Sequence, residues 1–196
     1  MDRIESGSSW NVLDIISLTI SKEKTCKLSD ISTKQLYCLF VKPNNCTPSS
    51  FLKLQDEYKI DENMINWSFS NIYQSLSEMR LRDFQFRCLH HILNVKHILK
   101  KKKLIDDDLC SFCSHDSESI PHLFIYCDVT KRFWQVFEHF WYGLSGKEIQ
   151  LSPQDIMIGI KNEETLLNYL IILGKWYIFT SARKIKLPKI NALIAL

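Results

Sequence analysis

Three cysteines and one histidine lie close together in the chain, at Cys110, Cys113, His122 and Cys127. Their spacing is C-x2-C, then eight residues, then H-x4-C. Cysteine thiolates and a neutral imidazole are ligands of tetrahedral zinc, and this set fills the coordination shell. A catalytic zinc keeps one position open for water, so the pattern predicts a structural Zn²⁺, one per chain. The alternative is three reduced cysteines and a surface histidine that are neighbours only in sequence.

The composition is that of a folded, helical protein. The chain has 196 residues, 45% of them hydrophobic, with only 5 Gly and 5 Pro. Because helical repeats outnumber alternating patterns, we expect a mainly α fold: a helical domain with a small CCHC zinc knuckle embedded between helices. Three regions are predicted. They are an N-terminal helical region at 1–79, a basic helix plus zinc-binding module at 80–142, and a buried C-terminal helix with a basic tail at 143–196.

Cysteine usage and hydropathy predict an intracellular protein and leave nucleus or cytoplasm open. The chain has 7 cysteines, an odd number, and it begins MDRIESGSS without an apolar signal segment. The longest apolar run, 166–179, is interrupted by Asn168 and Lys175. It is too short for a bilayer, which needs about 20 apolar residues, so no membrane partner is expected. The cysteines outside the cluster lie among apolar residues and are predicted to be buried thiols: Cys26, Cys38, Cys46 and Cys88.

Basic residues are concentrated just before the zinc ligands. The formal net charge is +3, but segment 80–103 alone carries eight basic residues and one acid, which leaves −4 for the rest. This asymmetry predicts phosphate contacts with RNA or DNA. The predicted contact residues are Arg80, Arg82, Arg87, Lys96, Lys100, Lys101, Lys102 and Lys103. Alternatively, the lysines form an exposed helix end where cations complement the helix dipole. A second, weaker basic cluster comprises Arg183, Lys184, Lys186 and Lys189.

Helix signals precede the zinc ligands. Residues 10–20 are rich in apolar side chains and predict a short helix. Ser32 and Gln35 fit a capping box, Thr47-Pro48 fits an N-cap and first helical position, and another helix is expected to begin near Asp61. Segment 81–93 continues as a helix whose expected apolar stripe is Leu81, Phe84, Cys88, His91, Ile92 and Val95. A turn near Asn94 is expected to lead into a second, basic helical piece.

An aromatic helix is predicted directly after the last cysteine. Asp128 fits its cap, and its apolar positions recur at helical spacing. Core packing is expected of Phe133, Phe137, Phe140 and Trp141, with stacking on unpaired bases as the alternative. Trp134 and Phe112 fall off that stripe and are the expected exposed stackers. A break at 143–153 and a cap at Asn162 precede a last, buried helix that ends near Arg183.

The runs LRDFQFRCLHHIL, LKKKKLIDDDLCSFC, ESIPHLFIYC and KRFW together resemble the zinc-binding C-terminal region of LINE-type (non-LTR) retrotransposon reverse transcriptases. With the flanking runs LSDISTKQLYCLFV and LLNYLIILGKWYIF, the resemblance covers about residues 28–190. It implies a region that follows the polymerase thumb and binds nucleic acid without polymerising. The remainder of a reverse transcriptase polyprotein is then a partner.

Carried over by position, the resemblance makes Cys110, Cys113, His122 and Cys127 the metal ligands. It also implies that Leu123 and Phe124 pack beside the histidine, and that Phe133 and Trp134 begin the helix that seats the knuckle. Two positions depart from the pattern. Ser114 stands where such knuckles often have glycine, and Pro121 is expected to restrict Ile120 to extended conformations.

No catalytic constellation accompanies the zinc ligands in the sequence. A reverse transcriptase needs a Tyr/Phe-x-Asp-Asp turn and a distant Asp to hold two magnesium ions, and the sequence has no such turn. Asp106, Asp107 and Asp108 are expected to form a solvated turn rather than a metal cage. The sequence therefore predicts a non-catalytic nucleic-acid-binding segment of a larger protein. The alternative is a zinc-stapled helical scaffold for protein–protein packing; the oligomeric state is left open.

Overall fold

The computed structural model describes residues 17–21, 24–27, 31–33, 48–161 and 165–188. The chain divides into two units, Met1–Thr47 and Pro48–Leu196. Several predicted features lie outside the described residues: Gln35 of the capping box, Cys38, Cys46, Thr47, the Asn162 cap and Lys189.

The first unit contains a β-hairpin. Strand β1 (Ser17–Ser21) pairs antiparallel with β2 (Lys24–Lys27), so that Leu18 lies opposite Cys26. The helix predicted over 10–20 is therefore wrong for 17–20, the part of it that the structure describes. The β-branched residues of SLTIS favour extended backbone, and this preference outweighs the apolar content on which the helix was predicted.

The described part of the second unit is mainly helical. Its helices are α1 (Ser49–Tyr58), α2 (Glu62–Ser75), α3 (Met79–Leu89), α4 (Lys96–Lys101), α5 (Asp128–Ser145), α6 (Pro153–Ile158) and α7 (Thr165–Arg183). A π-helical turn, His122–Tyr126, precedes α5. The mainly α prediction is confirmed. No helix in the described residues is long and apolar enough to cross a membrane.

Local sequence signals account for several helix ends. The Asp61 carboxylate accepts a hydrogen bond from the backbone N–H of Met64 at 2.7 Å, which makes Asp61 the N-cap of α2 as predicted. Pro48, rather than Thr47, is the N-cap of α1. The break predicted at 143–153 is present, because α5 ends at Gly146 with φ +70° and Ser152 starts α6 with a capping box.

Phe84 links the helical core to the π-helical turn. It is 2% exposed, and its ring makes edge contacts with Phe124 of the turn at 6.1 Å and with Trp176 of α7 at 5.2 Å between centroids. Phe179 of α7 lies 5.7 Å from the same ring. Helices α2, α3 and α7 also contact one another. The zinc-binding segment is thus seated on the main core rather than appended to it.

The core crosses the boundaries that were expected at 79/80 and 142/143. Lys175 of α7 is fully buried, and its Nζ donates to Gln85 Oε1 of α3 at 2.6 Å and to the carbonyl of Met157 at 2.9 Å. Gln85 Nε2 donates to the same carbonyl at 3.0 Å. Helices from all three predicted regions therefore share one core, and the boundary between units falls after Thr47.

The aromatic face of α5 is core, with corrections at Phe140 and Trp134. Phe133, Phe137 and Trp141 are buried as predicted, whereas Phe140 is only half-buried. Trp134 is also buried, at 3% exposure, and its indole N–H donates to the carbonyl of Phe124 at 2.7 Å. The expectation that Trp134 is an exposed stacker is wrong, because the π-helical turn provides a hydrogen-bond acceptor and α7 packs against its ring. Phe112 is half-buried and packs against the core.

Candidate metal centre

The structure brings Cys110, Cys113, His122 and Cys127 together, with all four ligand atoms within 4.8 Å of one another. The Sγ atoms of Cys110 and Cys127 are 3.9 Å apart, and Cys113 Sγ lies 3.4 Å from His122 Nε2. Zinc bonds of about 2.3 Å to sulfur and about 2.0 Å to nitrogen give tetrahedron edges of about 3.8 Å and about 3.5 Å. The observed separations fit those edges, so the cluster can hold one zinc.

A tight turn sets the first pair of ligands. The backbone N–H of Ser114 donates to the carbonyl of Cys110 at 3.0 Å, which folds the C-x2-C segment back on itself. Ser114 has φ +57°, the left-handed region that favours glycine, so the glycine preference noted from the sequence has a structural cause. A β-bridge between Leu109 and Ser117 closes the base of the loop.

The π-helical turn sets the second pair. The backbone N–H of Cys127 donates to the carbonyl of His122 at 2.8 Å, five residues earlier. This ring requires the H-x4-C spacing, and it leaves Cys127 as the N-cap of α5, one residue before the predicted cap Asp128. A π-helical turn often marks a functional site, and in this chain it joins two metal ligands.

Pro121 does not have the effect expected of it. Ile120 and Pro121 are helical, and the backbone N–H of Leu123 donates to the carbonyl of Ser119 at 2.9 Å. The expectation of an extended Ile120 is wrong. Proline is tolerated in the first turn of a helix because no earlier carbonyl needs its missing N–H, and this allowance outweighs its restriction of the preceding residue.

A carboxylate lies behind the histidine of the cluster. His122 Nδ1 is 3.7 Å from the Asp116 carboxylate, while Nε2 faces Cys113. A carboxylate on the far ring nitrogen is the usual companion of a metal-bound histidine, since it orients the ring and keeps the metal-facing nitrogen unprotonated. The arrangement therefore suits Nε2 as the ligand atom.

The cysteine sulfurs are surrounded by hydrogen-bond donors. The thiol of Cys110 hydrogen-bonds to Cys127 and lowers the pKa of Cys127; the backbone N–H groups of Val129 and Thr130 lower it further, against the effect of burial. The backbone N–H of Phe112 reaches Cys110 Sγ at 3.5 Å. Zinc binding requires both sulfurs as thiolates, so the ion would displace any proton that they hold.

Glu118 is a structural residue that sequence reasoning missed. It is 3% exposed, and Oε1 accepts the backbone N–H of Lys96 at 3.2 Å. Its Oε2 accepts both the backbone N–H of Ser111 at 3.0 Å and the Ser111 hydroxyl at 2.7 Å. One buried carboxylate therefore holds the start of α4 against the C-x2-C turn. Nothing in its sequence neighbourhood distinguishes it from a solvent-exposed acid.

Two of the predicted phosphate-contacting lysines bind the zinc loop itself. Lys96 Nζ donates to the carbonyl of Leu109 at 2.9 Å, and Lys100 Nζ donates to Asp108 at 2.6 Å. Asp108 also accepts the Ser117 hydroxyl, and its side chain is only 17% exposed, so the expected solvated turn is wrong at this position. The Lys100 ammonium, followed by Ser117, holds the pKa of Asp108 well below its usual range.

The three arginines lie on α3, and two of them have intramolecular partners. Arg82 Nε donates to the carbonyl of Leu76 at 2.7 Å, and its guanidinium lies over the ring of Tyr73. Arg87 pairs with Asp83 at 2.9 Å. Arg80 is exposed. Within the described residues, no side-chain ion pair or hydrogen bond is formed by Arg80, Lys101 or Lys103, so these are the most available of the eight.

Asn94 joins the two basic clusters that are distant in sequence. Its side-chain Oδ1 accepts Lys102 Nζ at 2.8 Å, and its backbone carbonyl accepts the Arg183 guanidinium. The end of α7 therefore meets the turn before α4. We call the resulting exposed surface the basic face. It comprises Lys101, Lys102, Lys103, Arg183, Lys184 and Lys186.

Comparison with known families supports the zinc assignment. A family model described as zinc-binding in reverse transcriptase matches residues 49–134, a span that contains α1 to α4 and all four cluster residues. No curated protein and no solved structure matches the chain. This part of the chain is thus similar to zinc-binding domains of reverse transcriptases, and its Cys3His cluster can hold one zinc.

Proposed function

We propose that this chain is the non-catalytic, zinc-binding C-terminal segment of a LINE-type (non-LTR) retrotransposon reverse transcriptase, and that it contacts template RNA or target DNA. The resemblance of the four sequence runs and the family match over 49–134 support this origin. Its partners are then a nucleic acid and the remainder of the reverse transcriptase polyprotein.

The observation that carries the nucleic-acid proposal is the convergence of basic residues at Asn94. Lys102 and Arg183 are 81 positions apart in the sequence, yet both bind this one residue. Clustering of lysine and arginine on one face is the electrostatic footprint of a nucleic-acid-binding protein. The basic face is also fixed to the metal centre, since Glu118 binds both α4 and the C-x2-C turn.

The proposed mechanism is phosphate neutralisation with little reading of base sequence. Lysine and arginine side chains displace condensed counterions from the nucleic acid, and the release of those ions drives binding. The zinc performs no chemistry in this proposal. It holds the loop that Lys96 and Lys100 contact, and so fixes the direction in which the end of α4 points.

Filter binding of the zinc-loaded chain to RNA, single-stranded DNA and duplex DNA over a range of salt concentrations tests the proposal. We expect the logarithm of affinity to fall linearly with the logarithm of salt concentration, with a slope of about 0.9 per phosphate contact on duplex DNA and about 0.7 on single strands. A folded, zinc-loaded chain that binds none of the three at low salt would contradict it.

That negative result would favour the alternative, a zinc-stapled scaffold for protein–protein packing. The scaffold hypothesis draws on two apolar elements, the aromatic helix and the last helix, as possible interfaces. The aromatic helix offers little free surface for this, because Phe133, Trp134, Phe137 and Trp141 are buried. We also expect no polymerase activity from this chain alone. DNA synthesis by the purified chain would refute the non-catalytic assignment.

A further inference from the structure

A small pocket lined by basic residues lies beside α4. Its volume is about 140 Å³, and its lining contains two lysines, two histidines and no acidic residue. The basic residues are Lys53, His91, His97 and Lys101, and the remainder of the lining is apolar: Val95, Ile98 and Ile120. The four basic residues come from α1, from α4 and from the segment between α3 and α4, so the folded chain assembles a concentration of positive charge that no single run of sequence displays.

His91 contributes a polar atom that lacks a partner. Its Nε2 is buried and accepts or donates no hydrogen bond within the described residues. A buried polar atom in this state costs free energy, so its presence in a pocket indicates a ligand that supplies the missing partner. His91 also has φ +54°, a backbone conformation that costs energy in a non-glycine residue. Burial is the main cause that lowers the pKa of His91, and the nearby Lys53 and His90 lower it further.

His97 has one ring nitrogen free for the pocket. Its Nδ1 lies 3.2 Å from the Ser117 hydroxyl and 3.5 Å from the Asp108 carboxylate. Nε2 is therefore the nitrogen left for a ligand. Asp108 is the carboxylate nearest to His97 in these contacts, and its charge is already matched by Lys100 at 2.6 Å.

The size of the pocket selects the ligand. Sites for whole small molecules usually span about 300–1,000 Å³, so a pocket of about 140 Å³ suits a single compact group. Two ammonium groups and imidazole N–H donors around a compact site recognise an oxyanion with several acceptor oxygens, and phosphate meets this description.

We propose that this pocket seats one phosphate group of the bound nucleic-acid strand, with Lys53, His91, His97 and Lys101 as its ligands. The inference rests on the proposed function, because Lys101 also belongs to the basic face. A phosphate held at a fixed point sets the register of the strand on the protein, whereas the exposed lysines attract it without fixing its position. Lys53, His91 and His97 thereby extend the contact set beyond the residues that the charge pattern identifies.

The first test is an NMR titration of the zinc-loaded full chain with inorganic phosphate, following the ring resonances of all histidines. A saturable change at His91 and His97, without a comparable change at His139, is the expected result. His139 is an internal control, since it is exposed on α5 and outside the pocket. No change at His91 over the millimolar range would overturn the pocket as a phosphate site.

The second test compares RNA binding by Lys53→Gln and His91→Asn with binding by Lys59→Gln. Lys53 is exposed, so its replacement leaves the core intact, and asparagine tolerates the left-handed backbone at His91. Lys59 is a matched control, because it carries the same charge next to α1 but pairs with Asp56 and does not line the pocket. We expect about tenfold weaker binding for the two pocket variants and near-native binding for the control.

The outcomes separate this inference from the proposed function. If the native chain binds RNA and the pocket variants bind it equally well, the pocket inference fails and the proposed function stands. If His91 responds to inorganic phosphate but no nucleic acid binds, the proposed function fails. The pocket is then a phosphate site, but the inference that the phosphate belongs to a nucleic acid fails as well.

Discussion

The Glu118 carboxylate accepts hydrogen bonds from both the backbone N–H and the hydroxyl of Ser111, at 3.0 Å and 2.7 Å. Ser111 follows Cys110 directly, so this pair supports the first half of the metal site from behind. The other carboxylate oxygen binds the first residue of α4. A single side chain therefore bridges the basic helix and the zinc loop, in addition to the contacts that Lys96 and Lys100 make with that loop.

Replacing Glu118 by glutamine tests whether these hydrogen bonds hold α4 against the zinc loop. Glutamine keeps one acceptor oxygen and turns the other into an N–H₂ group, which would face a donor. We expect the free energy of unfolding to fall by about 2–3 kcal/mol in chemical denaturation. The exposed Glu148→Gln is the control and should change stability by less than about 0.5 kcal/mol. Equal stability of the two variants would show that Glu118 does not brace the loop.

Cys110→Ser should remove the metal. Native mass spectrometry of the wild-type chain should show one zinc, and the variant should show none, because the Cys3His set has no spare ligand. The 105–127 segment should then lose its protection from hydrogen exchange, while the core around Phe84 keeps most of its own. Cys88→Ala is the control, since Cys88 is buried outside the cluster and should leave zinc content unchanged. Wild-type protein without zinc, purified reduced and zinc-replete, would refute the site.

Ser114→Gly should stabilise the zinc loop. Serine at φ +57° carries strain that glycine lacks, and the gain is partly offset by the greater freedom of glycine in the unfolded chain. We expect a net gain of about 0.5 kcal/mol in unfolding free energy, with slower loss of zinc to a chelator. Ser77→Gly is the matched control, because Ser77 is exposed and is not among the positive-φ residues. A loss of stability in Ser114→Gly would mean that the hydroxyl has a role that outweighs the strain.

Lys175→Met should stabilise the protein near neutral pH. Burial lowers the pKa of Lys175 from 10.5 to about 8, which corresponds to about 3 kcal/mol lost when the folded chain holds the charge. Methionine removes that cost, but it also leaves Gln85 Oε1 without its donor, so we expect a net gain of about 1–3 kcal/mol at pH 7. Lys161→Met, at an exposed lysine, is the control.

The same substitution should change the pH dependence of stability. Between about pH 8 and 10.5, Lys175 is protonated in the unfolded chain but has lost its proton in the folded chain. The contribution of Lys175 to stability therefore rises with pH across this window. Burial raises the pKa of Cys88 from 9.0 to about 12, so above about pH 9 the contribution of Cys88 to stability falls as pH rises. Cys88 is present in both the wild type and the variant. The advantage of Lys175→Met over wild type should therefore shrink from pH 8 upward. An advantage that stays constant would show that Lys175 is not the buried cation described.

The double variant Lys101→Gln, Lys103→Gln should flatten the salt dependence of binding. Each lysine that contacts a phosphate contributes about 0.9 to the slope on duplex DNA, so losing two should reduce it by up to about 1.8. Lys59→Gln, Lys131→Gln removes the same charge from lysines that pair with Asp56 and Asp128, and it should leave the slope near its original value. An unchanged slope in the first variant would remove Lys101 and Lys103 from the contact surface.

The sequence predicted the metal cluster and most helices because their signals are local. Ligand chemistry is fixed by residue type, and caps such as Asp61 act within one turn. Trp134 was predicted wrongly because helical periodicity describes only one face. A neighbouring turn and α7 cover a second face of α5, and this depends on tertiary packing that no window of sequence contains.

Other features could not be predicted because they join distant residues through buried polar groups. Glu118, the Lys175 contacts with Gln85 and Met157, and the meeting of Lys102 and Arg183 at Asn94 each depend on the completed fold. Most of these residues are charged or polar types that are usually exposed to solvent, so residue type alone indicates a surface position. The charge pattern identified the basic run, but only the structure separates the paired Lys100 from the available Lys101.

The two hydrogen-bonded turns divide the spacings of the metal ligands into rigid and adjustable ones. C-x2-C is closed by the Ser114 to Cys110 hydrogen bond, and H-x4-C by the Cys127 to His122 hydrogen bond, so adding or removing one residue in either would break a ring of the main chain. The eight-residue interval between them has the exposed residue His115 at its tip. Length variation among sequences of this type should therefore concentrate at that tip. A search pattern that keeps C-x2-C and H-x4-C fixed but lets the interval between them vary would recover relatives that a fully fixed pattern excludes.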